Sequence, residues 1–178
     1  MTLIVEDGTG LATSEAFCSV AFAAQYHSDR GNAAWDAIDN QEAALRLATD
    51  YMTQEYRNRW KGRRVLITQA LDWPRAGVVL EDFSGSQGRH GFGGYGLAQV
   101  AYTIVPIPVM RACAEFALRT GAAALAPDLG RPTISEKVDS IEVHYAPGAR
   151  QTTRYQAMDN LLSPYLLNAG YGGKVTRG

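Results

Sequence analysis

Residues 106–119 read PIPVMRACAEFALR and carry the clearest helical pattern of the chain. Two prolines stand at its beginning, where the backbone amides of a helix have no partner within the helix and proline is tolerated. Apolar residues then recur every three or four positions, and charged residues at i, i+4 spacing occupy the opposite side. The apolar positions are Val109, Ala112, Cys113, Phe116 and Ala117, and the charged ones are Arg111, Glu115 and Arg119. The pattern predicts a central core helix that Pro127 ends.

Two helices are predicted before this core helix. Ser19 can cap a helix near residues 19–30, and Gly31 is the residue expected where that helix stops. The second helix covers about 41–56, with Ala44, Leu47, Ala48 and Tyr51 at helical spacing. Asp39 and Glu42 have the spacing of a capping box, which predicts the start of the second helix.

After the core helix we expect a β-hairpin and a last helix. Residues 133–145 alternate apolar and polar side chains, with a tight turn at Asp139 and Ser140, as expected of a hairpin. Thr153 and Gln156 again have the spacing of a capping box, and Pro164 must kink or restart the helix that follows.

The fold class that these patterns predict is mainly α. We expect a small helical bundle with one β-hairpin, a glycine-rich arm and a flexible C-terminal tail. The 178 residues are enough for one ordinary domain. We assign residues 1–168 to that domain, with the arm at 84–103, and residues 169–178 to the tail.

Composition and charge exclude several classes of protein. Hydrophobic residues make up 46% and charged residues 20%, as in ordinary globular proteins. The formal net charge of -1 lacks the basic excess that usually marks nucleic-acid-binding proteins, so any DNA contact must be local. Cys18 and Cys113 lie in apolar stretches, and we expect both to be buried thiols in a reducing compartment. No secretory leader and no membrane span is indicated, so we expect a protein that is made and kept in a cytoplasm and has no membrane partner.

The arm at 84–103 belongs to a glycine-rich stretch that is long for a loop. Seven glycines lie between residues 77 and 96, with aromatic residues among them. A stretch with so few apolar side chains cannot bury enough surface to fold alone. We therefore predict that it contacts neighbouring subunits, with four anchors: Phe92, Tyr95, Leu97 and Tyr102.

No catalytic constellation is evident in the sequence. The three histidines, His27, His90 and His144, stand in no motif, and we expect His27 to be a surface residue. The glycines at 91–96 lack the strand and helix context of a phosphate-binding loop. We predict that the protein is not an enzyme, and that it has no cofactor, no metal and no catalytic residues.

The segment at 57–64 is the most basic part of the chain, with five of its eight residues basic and one tryptophan among them. Such a segment could grip phosphates and stack on a base, or it could be a solvated loop. A third possibility is that its cations pair with acidic groups of a neighbouring subunit. The candidate residues for contact with DNA or with a partner protein are Arg57, Arg59, Trp60, Lys61, Arg63 and Arg64.

Several motifs resemble a phage protein family in the same order along the chain. They include VEDGTG at 5–10, GNAAW at 31–35, LATDY at 47–51, ALDWPRAG at 70–77 and LLSPYL at 161–166. The chain thus resembles the head-tail adaptor, or connector, proteins of siphophages, which are often labelled DnaT-like single-stranded DNA-binding proteins.

This resemblance implies a structural virion protein without a reaction. Its subunits would form a twelve-fold homo-oligomeric ring in the viral neck, between the portal protein and a tail, stopper or tail-terminator protein. The ring would be assembled in the host cytoplasm and would line a channel for double-stranded DNA. The candidate residues of the segment 57–64 would then contact this DNA or the portal. The alternative is a DnaT-like single-stranded DNA-binding protein of phage replication, for which only the region 57–64 offers a basic, aromatic surface.

Overall fold

A computed structural model describes residues 2–84, 97–128, 135–138, 141–144 and 153–167. Four α-helices lie within these ranges: α1 (Val20–Ser28), α2 (Gln41–Tyr56), α3 (Ile107–Thr120) and α4 (Gln156–Leu162). Short 3₁₀ turns occupy Ala33–Trp35 and Ser163–Tyr165. The protein is mainly helical and small, as predicted.

The core forms around α3, whose apolar stripe is buried as predicted. This helix packs mainly against α2 and also contacts α1 and α4. It ends earlier than predicted, at Thr120 instead of near Pro127. The amides of Ala122 and Ala123 turn back to the carbonyl of Arg119, so the helix closes at Gly121, several residues before the proline.

The helix ends show which capping predictions hold. The hydroxyl of Ser19 accepts the Phe22 amide at 3.1 Å, and Gly31 has a φ of +68° after α1, so both ends of α1 are confirmed. At α2 the predicted bounds, about 41–56, are confirmed. The predicted capping box of Asp39 and Glu42 was wrong, because Asn40 caps the helix by accepting the Ala43 amide at 2.9 Å. An amide side chain satisfies the free N–H there as well as the predicted capping box would.

The last helix also departs from its predicted start. Tyr155 precedes the first turn and makes no side-chain capping bond, so the predicted capping box of Thr153 and Gln156 is not formed. The chain then leaves α4 at Leu162 and enters the 3₁₀ turn that contains Pro164. The predicted restart at Pro164 is confirmed.

Three two-stranded antiparallel ribbons complete the described residues. The predicted hairpin is present as β5 (Ser135–Val138) and β6 (Ile141–His144), with Val138 opposite Ile141. Two ribbons were not predicted: β1 (Arg63–Arg64) pairs with β2 (Arg75–Ala76), and β3 (Val79–Ser84) pairs with β4 (Leu97–Gln99).

The glycine-rich arm begins at the last residue of β3, and β4 lies within the arm. The middle of the arm, including Phe92 and Tyr95, lies outside the described residues, as does the predicted tail at 169–178. Among the helices that the structure describes, none is both long and apolar enough to cross a membrane.

Candidate functional site

The basic segment, residues 57–64, is held in place along its length. It leaves the C-terminal end of α2 and enters β1. The Lys61 amide donates to the carbonyl of Tyr165 at 2.9 Å, and the Leu167 amide donates to the carbonyl of Arg59 at 2.6 Å. Gly62 has a φ of +68°, and a Cβ atom there would lie 2.3 Å from the Ala76 carbonyl oxygen. The segment is therefore a fixed connection, and glycine is required at its sharpest bend.

Trp60 lies in the core, with only 2% of its surface exposed. Its indole N–H donates to Oδ2 of Asp72 at 3.2 Å, and its ring lies nearly perpendicular to that of Trp73, with 5.6 Å between centroids. The prediction that Trp60 contacts DNA by stacking is wrong, because the ring is buried and its N–H is bound inside the protein.

Arg75 holds the backbone of the basic segment in place through hydrogen bonds. Its guanidinium donates to the carbonyls of Lys61 and Gly62, each at 2.8 Å, and of Asp72 at 3.2 Å. Burial lowers the pKa of Arg75 and, in the same place, raises the pKa of the Asp72 carboxyl. The motif Trp73-Pro74-Arg75 therefore holds the connection against the body of the protein. We call the buried set Trp60, Asp72, Trp73 and Arg75 the tryptophan hub.

The cations of the basic segment differ in what they contact. Arg59 pairs with Glu55 at 3.1 Å and with Asp159 at 3.4 Å. Lys61 pairs with Glu81 at 3.5 Å. Arg59 and Lys61 thus neutralise acidic groups of their own chain. For these two cations, the predicted pairing with a neighbouring subunit is replaced by pairing within the subunit.

The other three cations form no close ion pair within the described residues. The Nη1 atom of Arg64 donates to the carbonyl of Gln69 at 3.0 Å. The Nε atom of Arg57 lies 3.9 Å from Oδ1 of Asp72, and 52% of that side chain is exposed. Arg63 is exposed, and within the described residues its side chain has no hydrogen-bond or ion-pair partner. Arg57 and Arg63 are the cations of this segment that are best placed to meet an anion from solvent.

A cavity of about 450 Å³ adjoins the basic segment, and Arg59 lines it. Its walls are the C-terminal half of α2, residues 125–127, and the start of α4. The lining residues are Tyr51, Glu55, Tyr56, Arg59, Leu125, Ala126, Pro127, Thr153, Arg154, Tyr155 and Asp159. We call it the tyrosine cavity. Sequence reasoning missed this cavity because no motif links its three parts.

Asp159 organises the polar side of the tyrosine cavity. It accepts from Arg154 Nε at 2.9 Å, from the Tyr56 hydroxyl at 3.0 Å and from Arg59 at 3.4 Å. Burial alone would raise the pKa of Asp159, but the hydrogen bonds from Arg154 and Tyr56 and the charges of both arginines outweigh burial and lower it. The carboxylate is therefore charged at neutral pH.

A second cavity of about 300 Å³ continues along α2. It shares Tyr51, Leu125 and Ala126 with the tyrosine cavity and extends to Leu47. Together the two cavities form a groove between the outer face of α2 and the chain after α3.

The structure describes two of the four predicted intersubunit anchors. Tyr102 is 61% exposed, Leu97 opens β4, and Phe92 and Tyr95 lie outside the described residues. Their role in contacts stays a prediction.

The predictions for histidine and cysteine have opposite outcomes. His27 is fully buried, stacks on Trp35, and lies 3.0 Å from the Ala114 carbonyl through Nε2, so its placement on the surface was wrong. Its position four residues after the buried Ala23 was the signal for burial. Cys18 and Cys113 are buried free thiols, as predicted. Among the described residues, no group of three His, Cys, Asp or Glu side chains could hold a metal ion.

Comparison with known proteins identifies the family. A family model described as "Putative DnaT-like ssDNA binding protein" matches residues 1–178. The chain belongs to this family. No curated protein matches the chain, and no solved structure matches it.

This match corrects the interpretation drawn from the phage motifs. A head-tail adaptor that forms a ring with portal and tail proteins around double-stranded DNA was the wrong reading, because the family match points to single-stranded DNA. The alternative interpretation, a DnaT-like single-stranded DNA-binding protein, is the one that the match supports.

Proposed function

We propose that the protein binds single-stranded DNA through the basic segment. The observation that carries this proposal is the fixed presentation of Arg57 and Arg63 to solvent, on a connection that Arg75 and Gly62 hold in place. A cation on a fixed backbone loses less conformational freedom when it meets a phosphate than one on a mobile loop. The family description supports the choice of a single strand over a duplex.

The charge distribution sets the expected strength of binding. Arg59 and Lys61 are already paired with carboxylates, so two or three cations remain for phosphates. For single strands the logarithm of the binding constant falls with the logarithm of salt concentration, with a slope of about −0.7 per phosphate contacted. We expect a slope of about −1.4 to −2.1, and thus weak binding that salt reverses.

We propose a binding role without catalysis. This rests on the sequence, which has no catalytic motif, and on His27, whose ring lies in the core and contacts the Ala114 carbonyl and the Asn32 side chain.

Fluorescence anisotropy with end-labelled oligonucleotides tests the proposal. We expect the wild-type protein to bind a single strand more tightly than the duplex of the same sequence, with the stated salt slope. The variant R57A/R63A should bind every single strand more weakly, and its slope should be shallower by about 1.4, which corresponds to two lost phosphate contacts. The matched control is R111A, which removes an exposed arginine from α3 and should bind as the wild type does. No binding to single strands, or equal loss in both variants, would contradict the proposal.

A further inference from the structure

The tyrosine cavity has balanced charge, which decides what it can hold. Arg59 and Arg154 contribute two positive charges, and Glu55 and Asp159 contribute two negative charges. Both arginines already bind Asp159. A phosphate would therefore meet carboxylates as well as guanidinium groups, and the cavity suits an uncharged, planar group better than an anion.

Aromatic rings form one side of this cavity. Tyr51 and Tyr155 meet edge to face with centroids 5.7 Å apart, and both rings are anchored on Phe116, at 4.9 Å and 5.3 Å. Rings that the core already holds lose little freedom when a flat ligand packs on them. Stacking on such rings is the usual way in which proteins hold unpaired bases, and it tolerates every base.

Two polar groups of the cavity are available for hydrogen bonds. The Tyr51 hydroxyl has no hydrogen bond among the described residues, and burial raises the pKa of Tyr51 to about 12, so the phenol keeps its proton. Glu55 uses Oε1 for Arg59 and is half exposed, while its Oε2 has no partner within the described part of the chain. A carboxylate oxygen accepts from amino groups, such as the exocyclic amine of cytosine.

The cavity is continuous with the proposed phosphate-binding surface. Arg59 lines the cavity and also belongs to the basic segment, two residues after Arg57. The cavity therefore adjoins the segment on which we propose that the phosphates lie.

We propose that the tyrosine cavity is a nucleobase subsite that takes one unpaired base with an exocyclic amino group from the bound strand. The proposal rests on the proposed function, because the strand must first lie on the basic segment. The base stacks on the tyrosine wall, its amino group donates to Glu55, and its phosphates stay outside with Arg57 and Arg63. The cavity volume of about 450 Å³ lies within the usual range of small-ligand sites.

Base-dependent binding tests this subsite, measured by anisotropy with oligonucleotides of equal length and charge. We expect wild-type protein to bind oligo(dC) more tightly than oligo(dT). It should bind an oligonucleotide of abasic units about 5- to 150-fold more weakly than oligo(dC), as expected for loss of one stacked base. The variant E55Q should lose the preference for oligo(dC) over oligo(dT), because Arg59 occupies the one oxygen of the amide and the NH₂ group that is left for the base cannot accept from an amino group. The matched control E42Q removes the same charge from the other end of α2, where Glu42 pairs with Arg46, and should keep that preference.

The tyrosine wall is tested by two further variants. Y51F keeps the ring and should retain most of the difference between oligo(dC) and the abasic oligonucleotide. Y51A should abolish that difference, and far-ultraviolet circular dichroism establishes whether it is folded, because Tyr51 packs on Phe116. If Y51A does not fold, E55Q decides alone, because that side chain is half exposed.

The two proposals fail in different ways. If no oligonucleotide binds, the proposed function itself is wrong. If normal and abasic oligonucleotides bind equally well, or if E55Q keeps the base preference, the subsite is wrong while binding through the basic segment stands. Competition with free dCMP separates a strand subsite from a nucleotide site: displacement only at millimolar concentrations supports the subsite, and tight binding of dCMP alone would overturn it.

Discussion

The tryptophan hub and the tyrosine cavity are built from the same residue types, and the difference between them is solvent access. Each combines arginine, aspartate and aromatic rings next to the basic segment. In the hub, Arg75 uses its donors on three backbone carbonyls and Trp60 uses its N–H on Asp72. In the cavity, Arg154 and Glu55 are about half exposed, and open space lies beside the tyrosine rings.

The pKa values of the two aspartates, Asp72 in the hub and Asp159 in the cavity, are shifted in opposite directions. Burial raises the pKa of Asp72, and the nearby charges of Arg57 and Arg75 offset only part of that effect. Burial also acts on Asp159, but hydrogen bonds from Arg154 and Tyr56 prevail and its pKa is lowered. The buried tryptophan hub thus stabilises the fold, whereas the tyrosine cavity has polar groups that a ligand can contact.

Breaking the hub should have the largest effect on stability. The variant R75A leaves the carbonyls of Lys61, Gly62 and Asp72 without their donor and removes a cation beside the buried Asp72. A hydrogen bond from a charged group contributes about 1.5 to 3 kcal/mol, and because R75A removes three such bonds we expect a decrease of about 3 kcal/mol or more in the free energy of unfolding, measured by urea denaturation. The variant R75K keeps the charge but cannot reach three carbonyls, so it should fall between R75A and wild type. A loss below about 1 kcal/mol for R75A would show that the hub does not hold the segment.

Breaking the polar side of the cavity should have a smaller effect, and one that depends on pH. The pKa of Asp159 in the folded protein lies below its ordinary value of 3.8, so its charged form stabilises the fold above that pH. This contribution is lost as the pH falls through the folded value. We expect D159N to lower the free energy of unfolding by about 1 to 2 kcal/mol at pH 7, as for a hydrogen-bonded charged group. The difference from wild type should shrink below pH 3.8, and a difference that stays constant to pH 3 would contradict this role for the carboxylate.

The sequence predicted those parts of the molecule whose signals are local. Ser19 and Gly31 bound α1 because a cap and a left-handed stop act within one turn. The failures concern residues whose surroundings come from elsewhere in the chain. Trp60 stands among cations in the sequence, yet Asp72, Trp73 and the strand-like contact with Leu166 bury it. The tyrosine cavity could not be predicted at all, because Arg59 and Asp159 meet across 100 positions of sequence.

The smallest effect on stability is expected for substitutions at the exposed cations of the basic segment. These variants compare an exposed cation with a buried one in the same segment. Arg63 is exposed and has no partner within the described residues, so R63A should change the free energy of unfolding by less than about 0.5 kcal/mol. Lys61, two residues away, is mostly buried and contacts Glu81 and the Val79 carbonyl, so K61A should cost about 1 kcal/mol. Both are measured by urea denaturation beside R63K, which keeps the charge and serves as the control for binding. The affinity for single-stranded DNA should change in the opposite order to the stability. R63A should bind more weakly than K61A, because Lys61 is already neutralised by Glu81. Equal affinities for these two variants would mean that exposure does not select the cations that meet DNA.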